Sequence, residues 1–434
     1  MTAQSAANAN AANVADVVGI GFGPSNLALA IALEDIAKAD AGTPEVSMKF
    51  YERQPRFGWH RGMLMEDATM QVSFLKDLAT MRNAMSRYTF VSYLQEKGRV
   101  AEFINSKTLY PLRVEFHDYL EWAAHQFQSH VSYGSEITAV RPVVENGVVE
   151  YVDVVARDAS GGHETVQRAR NVVIGMGLTP RLPAGIEESG RIWHSSQLMH
   201  RVGTITEAPR NVVVVGSGQS AAEAADYMHR TFSDAQVHTV LSRYGYSVAD
   251  DSPYANGIFD PEAVDQFYDS PADEKQRLLD YHANTNYSVV DLDVSQDLYR
   301  RSYQERVLGK PRLRMLNTSR VTAADEHADG VRVVVESTAS GAARTIEADL
   351  VVFATGYRPS DPTPLLQDLL RECKRDEQGR LGVERDYRVT TSDAVRCGIY
   401  VQGASTEHSH GLSAGLLSNT AVRSGEIAQS ILKR

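Results

Sequence analysis

Cysteine is almost missing: Cys373 and Cys397 are the only two in 434 residues. That excludes a disulfide framework, a C-x-x-C redox pair and a cysteine-rich zinc site, so no metal is expected and a reducing, cytoplasmic compartment fits. Positive charge is in deficit, with 44 Lys and Arg against 55 Asp and Glu and a net charge of -11. Such a balance disfavours nucleic acid or an anionic membrane as partner. No apolar run is long enough to span a bilayer. Residues 1–13 are rich in Ala, Asn, Ser and Gln, without the basic and apolar regions of a signal peptide, and are expected to be a disordered tail. The length calls for two or three domains.

What is present is glycine in two patterned places. In DVVGIGFGPSNLALAIAL, from Asp16 to Leu33, a buried strand is expected to turn through Gly19, Gly21 and Gly23 into a helix with Pro24 in its first turn. A helix N-terminus built this way faces an anion. Taken alone, the pattern also suits a plain βα turn, since Pro24 stands where a third motif Gly or Ala is usual. A second unit, RNVVVVGSGQSAAEAADYMHRTF at Arg210 to Phe232, repeats the design with Gly216 and Gly218 and an Ala-rich helix. Two such units are far more specific than one. The strand after the second unit ends in Ser242 and Arg243 without an acidic residue, which suits the 2′-phosphate of NADP, or leaves a surface Arg with no ligand. Glu52, ending the strand SMKFYE, could accept from ribose hydroxyls or simply be solvated.

Between the units, Arg56 to Asp77 has no clear period, as functional loops often lack one. Trp59 and His60 there could line a flat ring or sit in core. Tyr88 to Phe127 reads as helical, and Val131 to Gln167 as antiparallel strands with a hairpin at Asn146 and Gly147. Asp250 to Asp297 reads as a largely helical insertion. NVVIGMG and LVVFATG are paired buried strands where the chain crosses between nucleotide domains, and a final helix is expected to begin near Leu412. SGRIWHSS keeps Gly190 and His194 at the spacing of a Baeyer-Villiger motif, but Glu188 replaces its aromatic. Two nucleotide folds without a dithiol imply hydride transfer from NADPH to a flavin, with O2 as the simplest electron acceptor.

The strings GIGFGPSNLALA, FGWHRGMLM, MQVSFLKDLATMRN, SPYANGIFDP, NTNYSVVD, FATGY and HGLSAGLLS resemble the N-hydroxylating flavin monooxygenases of siderophore biosynthesis, specifically the L-ornithine N5-monooxygenases, with L-lysine N6-monooxygenases as close relatives. The likeness runs from about Asp16 to the C-terminus. It implies an α/β fold of two Rossmann-like dinucleotide-binding domains with a small helical substrate-binding region. The FAD domain would comprise residues 14–205 and 350–434, and the NADPH domain 206–349, with 250–297 contributing the substrate region. FAD would be held by Gly19, Gly21, Gly23 and Pro24, by Glu52, Arg53, Trp59, His60 and Gln71, by Ile137, and by His410, Gly411, Leu412 and Ser413. NADPH would meet Ser217, Gly218, Gln219, Ser220, Arg243, Asn286, Tyr287 and Ser288, with Arg113 near the nicotinamide. Substrate would meet Lys76, Asn256, Gly257, Ile258, Phe259, Asn286 and Ser413, with Lys76 and Asn286 as the catalytic candidates. The likeness also implies homo-oligomers.

Physical reasons stand beside this transfer. Lys76, after Phe74 and Leu75, is a suitable point charge for an α-carboxylate, or else a snorkelling surface Lys beside Asp77. Asn256 and Asn286 can hold an amine or amide without imposing charge, or can be turn residues. The expected chemistry is reduction of FAD by NADPH, formation of a C4a-hydroperoxide with O2, and attack by a neutral amine on its distal oxygen. An aliphatic ammonium titrates near roughly 10.4 in water, so activity should rise toward mildly alkaline pH. Two other readings stay open: a lysine or diamine hydroxylase, and a noncatalytic FAD/NADP electron-transfer protein.

Overall fold

The apolar run Val14–Ile20 becomes the inner strand of a sheet, pairing in parallel with Met48–Glu52 on one side and Glu164–Ile174 on the other. Val17 and Val18 are fully buried, as a parallel strand covered on both faces requires. The computed structural model describes residues 14–39, 42 and 45–433; the expected tail at 1–13 and part of the polar loop 38–45 lie outside the described residues. Gly398–Val401 also joins Glu164–Ile174 in parallel. The expected hairpin is Ser135–Glu145 with Val148–Asp158, closed by Asn146 and Gly147 at φ 51° and 82°. Left-handed backbone at both turn positions matches the right-handed twist of the flanking strands.

The helices Phe90–Glu96, Val100–Ser106 and Arg113–His125 form the expected excursion. Phe90, Tyr93, Phe116 and Tyr119 are buried together, with the Phe90 and Phe116 rings stacked 5.7 Å apart, and they pack with Leu27 and Ile31 of the helix Pro24–Ala39. Against this wall the irregular stretch before Leu78 is fastened by Asp77. Its buried carboxylate accepts from the backbone N–H of Ala79 (2.9 Å), Thr80 (2.6 Å) and Phe90 (2.7 Å).

The second sheet is parallel throughout, in the order Leu313–Leu316, Gln236–Val240, Asn211–Val215, Leu350–Phe353, Ile192–His194. Its centre is the four-valine strand, buried at every valine. The helix Gln219–Thr231 sets a face of Ala221, Ala222, Ala224 and Ala225 on it, small enough for close approach. Sheet membership moves the edges of this unit outward from 206 and 349, because Ile192–His194 and Leu350–Phe353 belong to it. A buried apolar strand carries no mark of which of two sheets it will enter, so the sequence could not place that edge. The chain crosses between the sheets twice, and the crossings, Leu178–Pro180 and Tyr357–Pro359, pair as a two-stranded antiparallel ribbon. His194, fully buried beside it, contacts the Gly356 carbonyl through Nε2 at 3.0 Å.

Residues 250–297 are helical as expected, in Pro253–Asn256, Pro261–Asp269, Ala272–His282 and the start of Leu292–Val307. The last helix runs from Thr420 to Leu432, not from Leu412; Leu412–Gly415 is a single 3-10 turn after Gly411, whose φ of 81° breaks the helical path. Among the described residues no helix is long and apolar enough to cross a membrane.

Candidate functional site

The two strand-turn-helix units open on one cavity of about 2080 Å³, walled also by the helical insertion. A pocket for one drug-sized ligand is roughly 300–1,000 Å³, so this space suits more than one large ligand. Gly21, at φ 82°, has the Gly175 carbonyl 2.5 Å from where a Cβ would be; Gly216, at φ 144°, has the Ala354 carbonyl at 2.3 Å from the same point. In both units a neighbouring strand end closes on the turn glycine, leaving the backbone bare toward the cavity. Gly23, Pro24 and Ser217 to Ser220 line it. Gln402, 1% exposed on the same wall, donates from its amide Nε2 to Asn26 Oδ1 at 2.7 Å and leaves its carbonyl oxygen without a partner. Bare turn backbone plus an unpaired buried acceptor fits a dinucleotide with hydroxyls and amides to donate.

The middle of the cavity carries a chain of polar contacts. Arg113 donates to both oxygens of Glu223 at 2.8 and 2.7 Å, and to the carbonyls of Met63 and Thr69. Gln219 donates to Glu223 at 2.9 Å and to Asp291 at 3.0 Å, and Gln71 donates to the other Asp291 oxygen at 3.1 Å. Burial works to lower the Arg113 pKa, but the hydrogen bonds and charge of Glu223 outweigh it and the guanidinium stays charged. Burial raises the Asp291 carboxyl above its ordinary range. Nearby, the Trp59 and His60 rings meet edge-on at 4.7 Å, and His60 approaches Tyr357 at 6.1 Å. His60 is open to the cavity; the protein atoms packed around it, then the charge of Arg113, push its imidazole down to about 4. It is neutral at neutral pH.

The family model for L-lysine 6-monooxygenase/L-ornithine 5-monooxygenase matches residues 13–359. The chain belongs to this family. It is 41% identical over 406 residues to an L-ornithine N(5)-monooxygenase of Burkholderia cepacia, covering 92% of this chain and 90% of that protein. It is 38% identical to the Pseudomonas aeruginosa L-ornithine N(5)-monooxygenase, covering 96% and 94%. Among solved structures, the ornithine N-hydroxylase of Kutzneria sp. 744, with reduced FAD, NADP+ and L-ornithine, superimposes with a TM-score of 0.92 at 47% identity, covering 97% of this chain and 99% of that one. The protein is therefore an FAD- and NADPH-dependent N-hydroxylating monooxygenase of ornithine- or lysine-type amines.

Most expected positions of this monooxygenase meet at the cavity: Arg53, Gln71, Ile137, Lys76, Asn256, Gly257, Phe259, Asn286, Tyr287 and Ser288 are all on its wall. Glu52 is there too, but its two oxygens already accept from the backbone N–H of Phe22 and Gln54, each at 2.8 Å, so it braces the turn. Asp77 faces inward to its backbone partners, while Lys76 stands on the cavity wall. Asn256 spends its amide N–H on the Asp251 carbonyl at 2.7 Å and keeps its oxygen. Tyr287 donates its phenol hydroxyl to Glu407, and burial raises both groups' pKa values.

Several expected positions lie off the cavity wall or are engaged by the chain itself. Gly19 lies within the strand, off the cavity wall, and is glycine because a Cβ would fall 2.2 Å from the Phe50 ring. Ile258 is off the wall in its short turn; Arg243 lies at its edge, exposed at a strand tip between the lining residues Ser242 and Ser288 and donating to the Ser288 carbonyl at 3.1 Å, which leaves it open to a ligand. Arg113 stands on the cavity wall, engaged by Glu223, and joins the two units. His410, Gly411, Leu412 and Ser413 are absent from the wall: His410 stacks on Tyr387 with centroids 4.0 Å apart and donates from Nε2 to the Arg385 carbonyl, and Gly411 backs onto Phe267. The wall is formed instead by Gly415 to Ser418 and Thr420. Leu417 and Ser418 repeat the Leu412 and Ser413 pair five residues on, a signal legible as an alternative. Glu223, Asp291, Gln402, Glu407 and Tyr357 were missed altogether.

Proposed function

We propose that this monooxygenase hydroxylates the side-chain amine of L-ornithine, serving hydroxamate siderophore biosynthesis. The observation that carries the reading is Lys76, a cation on the cavity wall whose neighbouring carboxylate is turned away, so that an α-carboxylate is its natural partner. That favours an amino acid over a diamine. The relatives compared above are named ornithine monooxygenases or hydroxylases, whereas lysine differs by one methylene, worth only about 1–3 kcal/mol in a pocket.

Lys76 would hold the carboxylate, with the free oxygen of Asn256 and the amide of Asn286 accepting from or donating to the amines without adding charge. Ser217 to Ser220 would receive the NADPH phosphates at the start of their helix, and Arg243 the 2′-phosphate. The bound flavin would supply the electrons, drawn from NADPH, with which O2 is activated toward the amine. The chain's own contribution is to position the amine, keep water out and disfavour its protonated form in a cavity where His60 stays neutral. Activity rising toward mildly alkaline pH follows.

The test measures hydroxylamine formed from ornithine, lysine, putrescine and cadaverine, alongside NADPH consumption, for wild type and Lys76→Met. Ornithine as preferred substrate, with the variant's apparent KM raised roughly 10- to 100-fold as expected for losing about 1.5–3 kcal/mol of charged hydrogen bonding, supports the reading. Release of peroxide alone with every amine, or an unchanged KM in the variant, defeats it.

A further inference from the structure

The helix Thr420–Leu432 carries a charge that the chain does not neutralise. Arg423, on its first turn, is 2% exposed and stands on the cavity wall. Nη1 donates to the Ala414 carbonyl at 2.6 Å; Nη2 donates to the hydroxyls of Ser25 at 3.2 Å and Thr420 at 3.3 Å; Nε has no partner. Every oxygen it meets is neutral. The nearby carboxylate, Glu426, has both oxygens taken by Arg385 at 2.9 Å. Tyr387 is held neutral by burial, its phenol pushed up to about 12. Ser25 belongs to the first turn of Pro24–Ala39, a 16-residue helix whose N-terminus adds its own partial positive charge. A buried guanidinium beside a helix N-terminus is doubly unfavourable unless an anion sits between them.

We propose that Arg423 is the counter-charge of the FAD pyrophosphate, presented at the first nucleotide turn by the C-terminal helix. The cofactor then completes a site whose cation the empty protein keeps at a cost, and FAD ties the C-terminal helix to the first nucleotide helix. This rests on the chain's being an FAD protein, not on which amine it hydroxylates.

The experiment uses full-length protein stripped of flavin. For Arg423→Met, the thermal midpoint of the flavin-free form should equal or exceed wild type, because an uncompensated buried charge is gone. FAD affinity, read by quenching of flavin fluorescence, should fall at least tenfold, while riboflavin, which lacks phosphate, binds both alike. Millimolar inorganic pyrophosphate should raise the midpoint of flavin-free wild type and not of the variant, and orthophosphate should do so less. FAD affinity within twofold of wild type overturns the proposal, as does a lowered flavin-free midpoint with the phosphate-free flavin equally weakened, which marks Arg423 as scaffold only. Should Arg423→Met not fold, wild type itself decides: no response to pyrophosphate, or an equal response to orthophosphate, overturns the assignment.

Discussion

The two glycine turns use one backbone device in opposite surroundings. Behind the first, residues Asn26 to Leu33 are buried without a break, between the sheet and the helix Thr420–Leu432, and Arg423 closes over the entry. Behind the second, the unbroken buried run is shorter, Ala221 to Ala225; Asp226 and Arg230 pair further along the helix, and the entry has Arg243 exposed near it. Enclosure suits a resident FAD, and openness suits an NADPH that must come and go. A shared motif thus states that a dinucleotide binds, while the second layer states how long it stays.

The strongest way to break this comparison is at the link between the halves. Glu223→Ala leaves Arg113 buried without its counter-charge and should lower stability by about 3–5 kcal/mol in urea unfolding, whereas Arg113→Met with Glu223→Met should recover most of it. Equal loss in single and double variants would show that the pair is not what joins the units. Next come the turns themselves. Gly21→Ala and Gly216→Ala each force a side chain against a carbonyl in left-handed backbone, a strain of about 1–3 kcal/mol, or roughly 5- to 150-fold in affinity. The first should yield protein poor in flavin by absorbance; the second should retain flavin and raise the KM for NADPH. Flavin loss in both would erase the distinction.

A smaller effect is expected at Arg243→Ala, which should reduce the preference for NADPH over NADH about fivefold or less, since an exposed ion contributes up to about 1 kcal/mol. The smallest concerns acid. Burial holds the His410 imidazole down to about 3, against about 6.5 unfolded, so between these pH values the unfolded chain binds the extra proton. Stability is therefore complete above about 6.5 and falls as pH drops toward 3, and His410→Gln should make that slope shallower by up to one proton. Thermal midpoints from pH 7 to 4 would show it; an unchanged slope would place the acid sensitivity elsewhere, such as His60.

Both turns were legible because a glycine turn is written in adjacent residues. Gly19 shows the limit of that reading: local pattern shows a glycine, but only packing shows that Phe50 demands it. The wall at Gly415 to Ser418 was missed by five residues since two Leu-Ser pairs look alike and only the break at Gly411 decides which faces inward. Residues 71, 113, 219, 223 and 291 share one hydrogen-bond chain across 220 positions of sequence, and no spacing rule connects them.

The ribbon of Leu178–Pro180 with Tyr357–Pro359 brings the outward and return paths of the chain side by side. Everything between them behaves topologically as a cassette with a single seam, whose two cut ends are already neighbours. Relatives could therefore exchange their NADPH halves by paired splices at this seam, each graft leaving the host sheet Val14–Ile174 with its original closing strand, Gly398–Val401.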